Sequence, residues 1–417
     1  MSATVPGETW VTPEPPPRTQ DRMWSDIGLP AETIELRARA RDVVARRVAP
    51  HAREIAQREE SRDSFPWEAF KGIAEEGMLR LPFSGEHGAN LEHPILGTCT
   101  FVEELAYESS SMAGVYDGQC LLVARSLDFA RGEVRDRYLP GLTSGELVAC
   151  FATTEPEASS DLSPTALQTM AEPVDGGFVV NGRKRWITNS VVGDFVVALC
   201  RTGDALTMLL IDLKDNPGVT VGDPDLKMGH RGQITADIVF EDTFVPEENV
   251  LGEPERGLGV ALAALAYGRV GIAAAGVGVA QAAMDLAVER LRSRELFGKK
   301  LGEMQHWQFR LAEKAIELES ARNLYQKTCM RMEAGEQAEP EASMAKILAT
   351  RLANDLARDA LQVHGGYGFA RRLTATGDAP RLEEIYRDAK ILEIFEGANE
   401  VLTWVVARHL IGRDITG

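Results

Sequence analysis

The sequence predicts an α+β fold in three parts: an N-terminal α-helical domain, a middle β-domain of barrel or sandwich type, and a C-terminal four-helix bundle. Three observations carry this expectation. Apolar residues at helical spacing fill the first third of the chain. Near Glu146 the texture changes to short β-branched runs punctuated by Gly, Asn, Asp and Pro, and after Gly257 it returns to helix and stays there. At 417 residues the chain exceeds one ordinary core, in keeping with several packed units.

Taken in order, residues 1–22 hold Pro13, Pro15, Pro16 and Pro17 with hardly any apolar periodicity, and read as a flexible leader. Residues 23–145 form the helical domain. A stripe through Ile34, Val44 and Val48 marks its first helix, which Pro50 ends or kinks. Residues 146–254 read as six or seven strands, and Asn181-Gly182, between FVV and RKRWIT, is the strongest short hairpin signal among them. Residues 255–417 carry three helical stripes: Ala280, Met284, Ala287 and Leu291; Phe309, Ala312 and Ile316; and Ala345, Leu348, Leu352, Leu356, Ala360 and Val363. A fourth helical pair surrounds Glu396.

Composition narrows the function. Lys plus Arg number 45 against 63 Asp plus Glu, a net charge of −18, which repels nucleic acid unless one face is locally basic. No apolar run is read as long enough to span a bilayer, and the N-terminus lacks the basic start and apolar core of a secretory signal, so no membrane partner and a cytoplasmic location are expected. Five cysteines lie far apart without a CxxC pair, and read as buried free thiols, with no metal site.

One carboxylate stands out. In RDAKILEIFEGANEVLTWVVARHL, the apolar residues Ile391, Ile394 and Phe395 lead into Glu396. Gly397 interrupts, and Val401, Leu402, Val405 and Val406 resume at helical spacing. Gly397 suits a positive φ that ends the first helix, and Asn399 suits the N-cap of the second. A glutamate so flanked is partly desolvated, which raises its pKa and strengthens it as a base. Alone, it reads rather as a solvated helix-end glutamate, and the rest of the chain reverses that reading.

Its context includes FATTEPEASSD at 151–161, RWITN at 185–189, RELFG at 294–298, QVHGGYG at 362–368 and RDAKILEIFEG at 387–397. Five such motifs in this order resemble the acyl-CoA dehydrogenase family, most closely its short-chain members, from about residue 30 to the C-terminus. The resemblance implies FAD as cofactor and α,β-dehydrogenation of an acyl thioester in fatty acid metabolism. Glu396 would take the α-proton while flavin N5 accepts the β-hydride. It also implies a homo-oligomer, a dimer or a homotetramer, because part of the cofactor site serves a neighbouring subunit. The expected electron acceptor is an electron-transfer flavoprotein, with oxygen as another.

The same resemblance assigns the remaining residues. Phe151, Ala152, Thr153 and Ser160, with Trp186, Ile187 and Thr188, would contact the flavin ring, which needs backbone donors, hydroxyls and an apolar wall, Trp186 stacking on it. In isolation these read as a tight turn and a core tryptophan. The glycine that the family places before Ser160 is Ser159 here. Arg294, Phe297, Gln305, Gln362, Gly365 and Gly366 would complete the dinucleotide site, Arg294 as a charge-assisted donor to pyrophosphate. GGYG follows a helix and so is no Rossmann loop. Tyr116, Asp117 and Cys120 would face the acyl tail, with Ser160, Arg269 and Gly397 also at the substrate. An aspartate beside an alkyl chain is costly, so either the substrate is polar or branched, or Asp117 is solvated. Gly268 stands where some members keep their base, leaving Glu396 without a competitor. Ala266 stands where many carry an acid facing the CoA arm, which makes a carrier-protein thioester an alternative, as is a flavin oxidase or monooxygenase on the same fold. His364 reads as a helix-end histidine.

Overall fold

The computed structural model describes residues 18–23, 26, 28–158 and 160–416. Its helices begin with α1 (Thr19–Met23), α2 (Ala31–Arg47), α3 (Ala49–Gln57), α4 (Trp67–Glu75), α5 (Pro94–Glu108), α6 (Ser110–Asp117), α7 (Ala124–Leu127) and α8 (Val134–Ser144). Between α6 and α7 the helix widens into a π turn over Gly118–Val123. Pro50 lies in the first turn of α3, where its missing N–H costs nothing, and the break from α2 falls at Val48. Of the expected stripe, Val44 and Val48 are buried with Leu36, Ala40 and Val43, whereas Ile34 is exposed.

The end of the expected leader is packed. Thr19 donates from its N–H and hydroxyl to Asp285 Oδ1 at 2.9 and 2.6 Å, Arg18 pairs with Glu104, and Arg18 lies 3.5 Å over the Tyr107 ring. Residues 1–17 of that leader lie outside the described residues.

The middle domain has eight strands: β1 (Ala149–Ala152), β2 (Met170–Val174), β3 (Gly177–Thr188), β4 (Phe195–Thr202), β5 (Ala205–Asp212), β6 (Val219–Val221), β7 (Thr235–Pro246) and β8 (Val250–Leu251). They form one mixed sheet in the order β6-β7-β3-β2-β4-β5-β8, with β1 parallel to β4. The hairpin turn expected at Asn181-Gly182 is one turn earlier, at Asp175-Gly176, between β2 and β3. Asn181 and Gly182 lie inside β3, at a bulge against β7 where Gly182 takes φ +146°. There the Asn181 side chain accepts from Asp242 N at 2.7 Å and donates to Asp242 Oδ1 at 3.1 Å. An Asn-Gly pair supplies the backbone freedom that a bulge needs as readily as a turn does.

The C-terminal part comprises α9 (Gly257–Ser293), a short hairpin of β9 (Glu295–Leu296) and β10 (Lys299–Lys300), α10 (Gln305–Glu333), α11 (Glu339–His364), α12 (Gly366–Phe369), α13 (Leu382–Ala389), α14 (Asn399–Ile411) and α15 (Arg413–Thr416). Three long helices are present where four were expected. The fourth position is broken into α13, a 3₁₀ turn at Lys390–Glu393, and α14. The first and third stripes face inward. The second does not, since Phe309, Ala312 and Ile316 are exposed and α10 buries Leu311, Lys314, Leu318, Ala321, Arg322 and Tyr325 instead. Lys314 reaches Asp355 at 2.8 Å and Arg322 reaches Glu103 at 3.1 Å. These buried cations interrupt the apolar periodicity on the true core face.

Helix α9 runs through the centre, packed by α5, α10 and α11. It corrects the reading of the chain as lacking a span-length apolar run, because it is long and apolar enough to cross a membrane. However, 78% of its most apolar window is buried inside the protein, so here it serves as the core helix. Backbones approach it closely: a Cβ at Gly278 would overlap Glu103 O, and one at Gly276 would lie 2.9 Å from the Ala349 carbonyl carbon. All five cysteines are free and buried.

Candidate active site

The segment between α13 and α14 reverses direction in two left-handed residues, Glu396 (φ +54°) and Gly397 (φ +98°). Glycine adopts this readily, whereas a glutamate there costs about 1–3 kcal/mol, and its surroundings must hold it. They do so through Lys346, which is fully buried in α11 and donates to Gly397 O at 2.9 Å and to Asn399 Oδ1 at 3.1 Å. Asn399, expected as an N-cap, is the first residue of α14 and turns its side chain inward, donating to Thr350 Oγ1 at 3.0 Å. Among the described residues the Glu396 N–H makes no backbone hydrogen bond, which leaves it available as a donor.

Glu396 is half-buried as a residue, yet its Oε2 is wholly buried. That oxygen lies on the backbone of α9, where a Cβ at Gly268 would overlap it. Asp117, 1% exposed, comes from the end of α6 to lie against Gly271, one turn further along α9 from the place where Glu396 rests. The alternative of a solvated Asp117 is thereby excluded. Burial pushes the Asp117 carboxyl well above the usual carboxylate range, and the Glu396 charge adds to this. Burial also raises Glu396, while the neighbouring Asp117 carboxyl and the charges of Lys346 and Arg269 oppose the rise. Burial pushes Lys346 down to about 7 against the pull of Glu396. Arg269, 5% exposed in α9, lies beside Gly397 and 3.5 Å from Glu339 Oε1.

Tyr116 and Cys120 point elsewhere. The Tyr116 hydroxyl donates to Met78 O at 2.8 Å and Cys120 Sγ faces Leu79 O, both toward the N-terminal domain. The face of this helix that meets the carboxyl pair carries Asp117, Leu121 and Leu122, and the two leucines pack on Gly271 and Gly268. The π turn shifts the register, which simple helical spacing does not anticipate.

On the sheet side, Phe151 is half-buried, Ala152 and Thr153 are buried, and Ser160 is exposed, while Ser159 lies outside the described residues. Trp186 takes φ +60° at a second bulge in β3, holding its ring 51% exposed with the Arg185 guanidinium 3.9 Å from the ring centroid. The Ile187 side chain is in the sheet core. Thr188 meets the Asp117 helix at Gly118, where an added Cβ would lie 3.8 Å from its methyl group. Its hydroxyl accepts from Gln233 Nε2 at 3.1 Å, so Gln233 Oε1 is left to accept from His230 Nδ1 at 2.7 Å, and His230 Nε2 accepts from Ser110 at 2.7 Å. Burial keeps His230 neutral by pushing its pKa down.

The loop after β1 is pinned by Glu155, which accepts from Gln168 N and Thr169 N and pairs with fully buried Lys184 at 2.7 Å. Arg387 and Asp388 clamp the two domains together: Arg387 donates to Met228 O at 2.8 Å and Asp388 accepts from His230 N at 2.7 Å.

The remaining site residues form a separate, exposed group at one end of the bundle. Arg294 ends α9; Phe297 and Gly298, at φ +54° and +77°, turn the β9–β10 hairpin; Gln305 opens α10; Gln362 and Gly365 close α11; and Gly366 opens α12. Phe297 is 92% exposed, and nothing lies within 4 Å of a Cβ at Gly298, Gly365 or Gly366. Arg290 links the two motifs, 5.4 Å above the Tyr367 ring. His364 bonds Ala360 O at 2.9 Å through Nδ1, as a helix-end histidine does. Sequence reasoning missed Lys346, Glu155, Lys184 and the His230 chain. Lys346 had a signal: it is the lone cation among Ala342, Ala345, Ala349 and Ala353 on one helical face.

Family models match nearly the whole described chain. The acyl-CoA dehydrogenase N-terminal domain matches residues 30–146, the middle domain 150–243 and the C-terminal domain 255–411. The chain is 34% identical over 384 residues to a 3-(aryl)acrylate reductase of Clostridium sporogenes, covering 90% of this chain and 97% of that one. Butyryl-CoA dehydrogenase from Megasphaera elsdenii superposes with TM-score 0.85 at 29% identity, covering 93% and 100%. The prolyl acyl carrier protein oxidase AnaB superposes with TM-score 0.83 at 26% identity, covering 92% and 100%.

The buried pair beneath the β1 loop gives a direct test. Lys184→Met leaves Glu155 uncompensated and is expected to cost about 3–5 kcal/mol in denaturant unfolding, and adding Glu155→Gln is expected to recover a large part of that loss.

Proposed function

The chain belongs to the acyl-CoA dehydrogenase family of FAD-dependent oxidoreductases acting on CH–CH bonds, and on that premise we propose that it oxidises an acyl thioester at Cα–Cβ with Glu396 as the base. The observation that carries the reading is the Glu396 carboxylate itself, held at a strained left-handed residue with Oε2 buried and without a hydrogen-bond partner among the described residues. A carboxylate spared an ion pair keeps the basicity that abstraction from carbon demands.

The chain's residues fit the cofactor. An aromatic ring is held half-exposed by a backbone bulge at Trp186, two residues before a hydroxyl at Thr188 that accepts from Gln233, and Thr188 adjoins the helix that carries Asp117. Phe151, Ala152, Thr153, Ser160, Trp186, Ile187 and Thr188 would hold the ring. Arg294, Phe297, Gln305, Gln362, Gly365 and Gly366, exposed at the far end of the bundle, would hold the dinucleotide of a neighbouring copy, which makes the functional unit a homo-oligomer. When bound, FAD supplies an acceptor for the β-hydrogen as hydride.

The protein's own part is proton transfer and positioning. Glu396 Oε2 takes the α-proton, and the unengaged Glu396 N–H is placed to donate to the thioester oxygen as negative charge grows there, which acidifies the α-carbon. Lys346 keeps the loop in its left-handed turn, and Leu121 and Leu122 exclude water from the acyl side. The reductive direction uses the same residues, with Glu396 returning the proton. An electron-transfer flavoprotein is the proposed acceptor.

A carrier-protein thioester is the second reading. Half-buried Ala266 lies one turn before Arg269, where many family members place an acid toward the CoA arm, and a carrier-protein oxidase is among the structural relatives. Comparison of kcat/KM for one acid on CoA and on a carrier protein decides between them. Equal or better use of the carrier is the expected result, and a large CoA preference removes this reading.

Glu396→Gln keeps size but accepts no proton. Folding and FAD content are expected to survive, while anaerobic flavin reduction by substrate slows by at least about 10²-fold. In the wild type the base form of Glu396 exists only above its raised pKa, so the reduction rate should climb with pH through a limb above the ordinary glutamate range. Stopped-flow bleaching across pH measures both, and a Glu396→Gln variant as fast as the wild type would sink the assignment.

A further inference from the structure

Asp117 enters a region where an acidic side chain has no ordinary reason to be. It is 1% exposed, and neither of its carboxyl oxygens has a donor among the described residues. Among the described residues, the titratable groups that bear on its charge are few, and none of them is a cation. Cys99 approaches from α5, Tyr116 and Cys120 are neighbours on its own helix, and Glu396 faces it across α9. The cations near Glu396 are engaged elsewhere. Lys346 donates to Gly397 O and Asn399 Oδ1, with Glu393 and Glu400 also in its field, and Arg269 leans toward Glu339.

Two carboxylates placed side by side inside a protein resist joint ionisation, because each charge opposes the other and the buried oxygens of neither have a hydrogen-bond partner among the described residues. An O–H on one of them resolves both problems, since it removes one charge and gives the other a donor. The fold provides room for this arrangement. Helix α9 has glycine at the two positions, one turn apart, where the carboxyl groups rest, and a Cβ at Gly268 would overlap Glu396 Oε2 while one at Gly271 would overlap Asp117 Oδ1. Any larger residue at either position would separate the pair.

We propose that Asp117 is a positioning residue: a neutral carboxylic acid whose O–H donates to the Glu396 carboxylate, the two sharing one proton against the bare backbone of α9. The inference rests on the reading of Glu396 as the base and deepens it. The donated hydrogen bond fixes which way the Glu396 carboxylate faces and keeps it ionised in a buried setting. When the substrate C–H bond breaks, its proton forms the new O–H on Glu396, Asp117 keeps its own, and the pair passes from one proton to two. Glu396 therefore acts on substrate directly, and Asp117 acts through Glu396.

Two near-isosteric variants of the FAD-loaded enzyme separate the possibilities. Asp117→Asn retains an N–H donor toward Glu396, and Asp117→Leu retains bulk without one. The first measurement needs no turnover: the infrared difference spectrum of resting wild type minus Asp117→Asn at neutral pH should show a protonated carboxylic acid carbonyl band. A carboxylate band in its place would overturn the proposal. The second is the pH profile of anaerobic flavin reduction. Loss of a donor to a charged group should move the acid limb of Asp117→Leu up by about one to two pH units, with Asp117→Asn staying near the wild type. A limb unmoved in Asp117→Leu would also overturn it. If the leucine variant fails to fold, the infrared arm with Asp117→Asn decides alone. The two readings fail separately: an acid band in an enzyme indifferent to Glu396→Gln keeps the pair and removes the base, whereas dependence on Glu396 without that band keeps the base and removes the pair.

Discussion

The contact between the Glu396 carboxyl and the backbone of α9 at Gly268 is the constraint on which the rest of the site depends. A side chain at that point of the core helix would push Glu396 out of the interior. The left-handed turn at Glu396 and Gly397 would then have no purpose, and Lys346 would donate to a loop with nothing to present. Much of the C-terminal architecture follows. The fourth helix of the bundle is broken so that a carboxylate can enter where a continuous helix would keep it on the surface, and the strain of a left-handed glutamate is carried by buried hydrogen bonds from Lys346 and Asn399.

The β-domain meets this centre through a second set of polar contacts. Ser110, His230, Gln233 and Thr188 form one oriented chain from α6 to the bulged end of β3, with the His230 tautomer set by the amide of Gln233. Asp388 holds the His230 backbone and Arg387 holds Met228, so the residues just before Glu396 in sequence also fix the sheet against the bundle. One segment thus positions both the proposed base and the strand that the cofactor is proposed to contact.

Local features of the sequence translated well, and non-local ones did not. The three-part organisation, the break near Pro50, the inward stripes of α9 and α11 and the helix interruption at Glu396 each depend on residues a few positions apart, so periodicity and turn chemistry report them. Asn181-Gly182 misled because its backbone freedom serves a bulge opposite Asp242. The Phe309 stripe misled because Lys314 and Arg322 occupy the true core face of α10, neutralised by partners on other helices. At the site, the helix break at Glu396 is legible from its motif, and the aspartate at position 117 stands out as costly beside an alkyl chain. Its solution was hidden, because it requires knowing that Gly268 and Gly271 lie beneath two carboxyl groups from distant parts of the chain.

Proton exchange isolates the removal of a proton by Glu396, from the carbon next to a thioester, from everything that follows. A saturated acyl thioester that binds but has no hydrogen to lose at the β-position is incubated with the FAD-loaded enzyme in D₂O, and deuterium at the α-carbon is followed by NMR or mass spectrometry. The wild type is expected to exchange at the α-carbon, and Glu396→Gln is expected to show no exchange above background. Exchange by Glu396→Gln at the wild-type rate would contradict the role of Glu396 as the base.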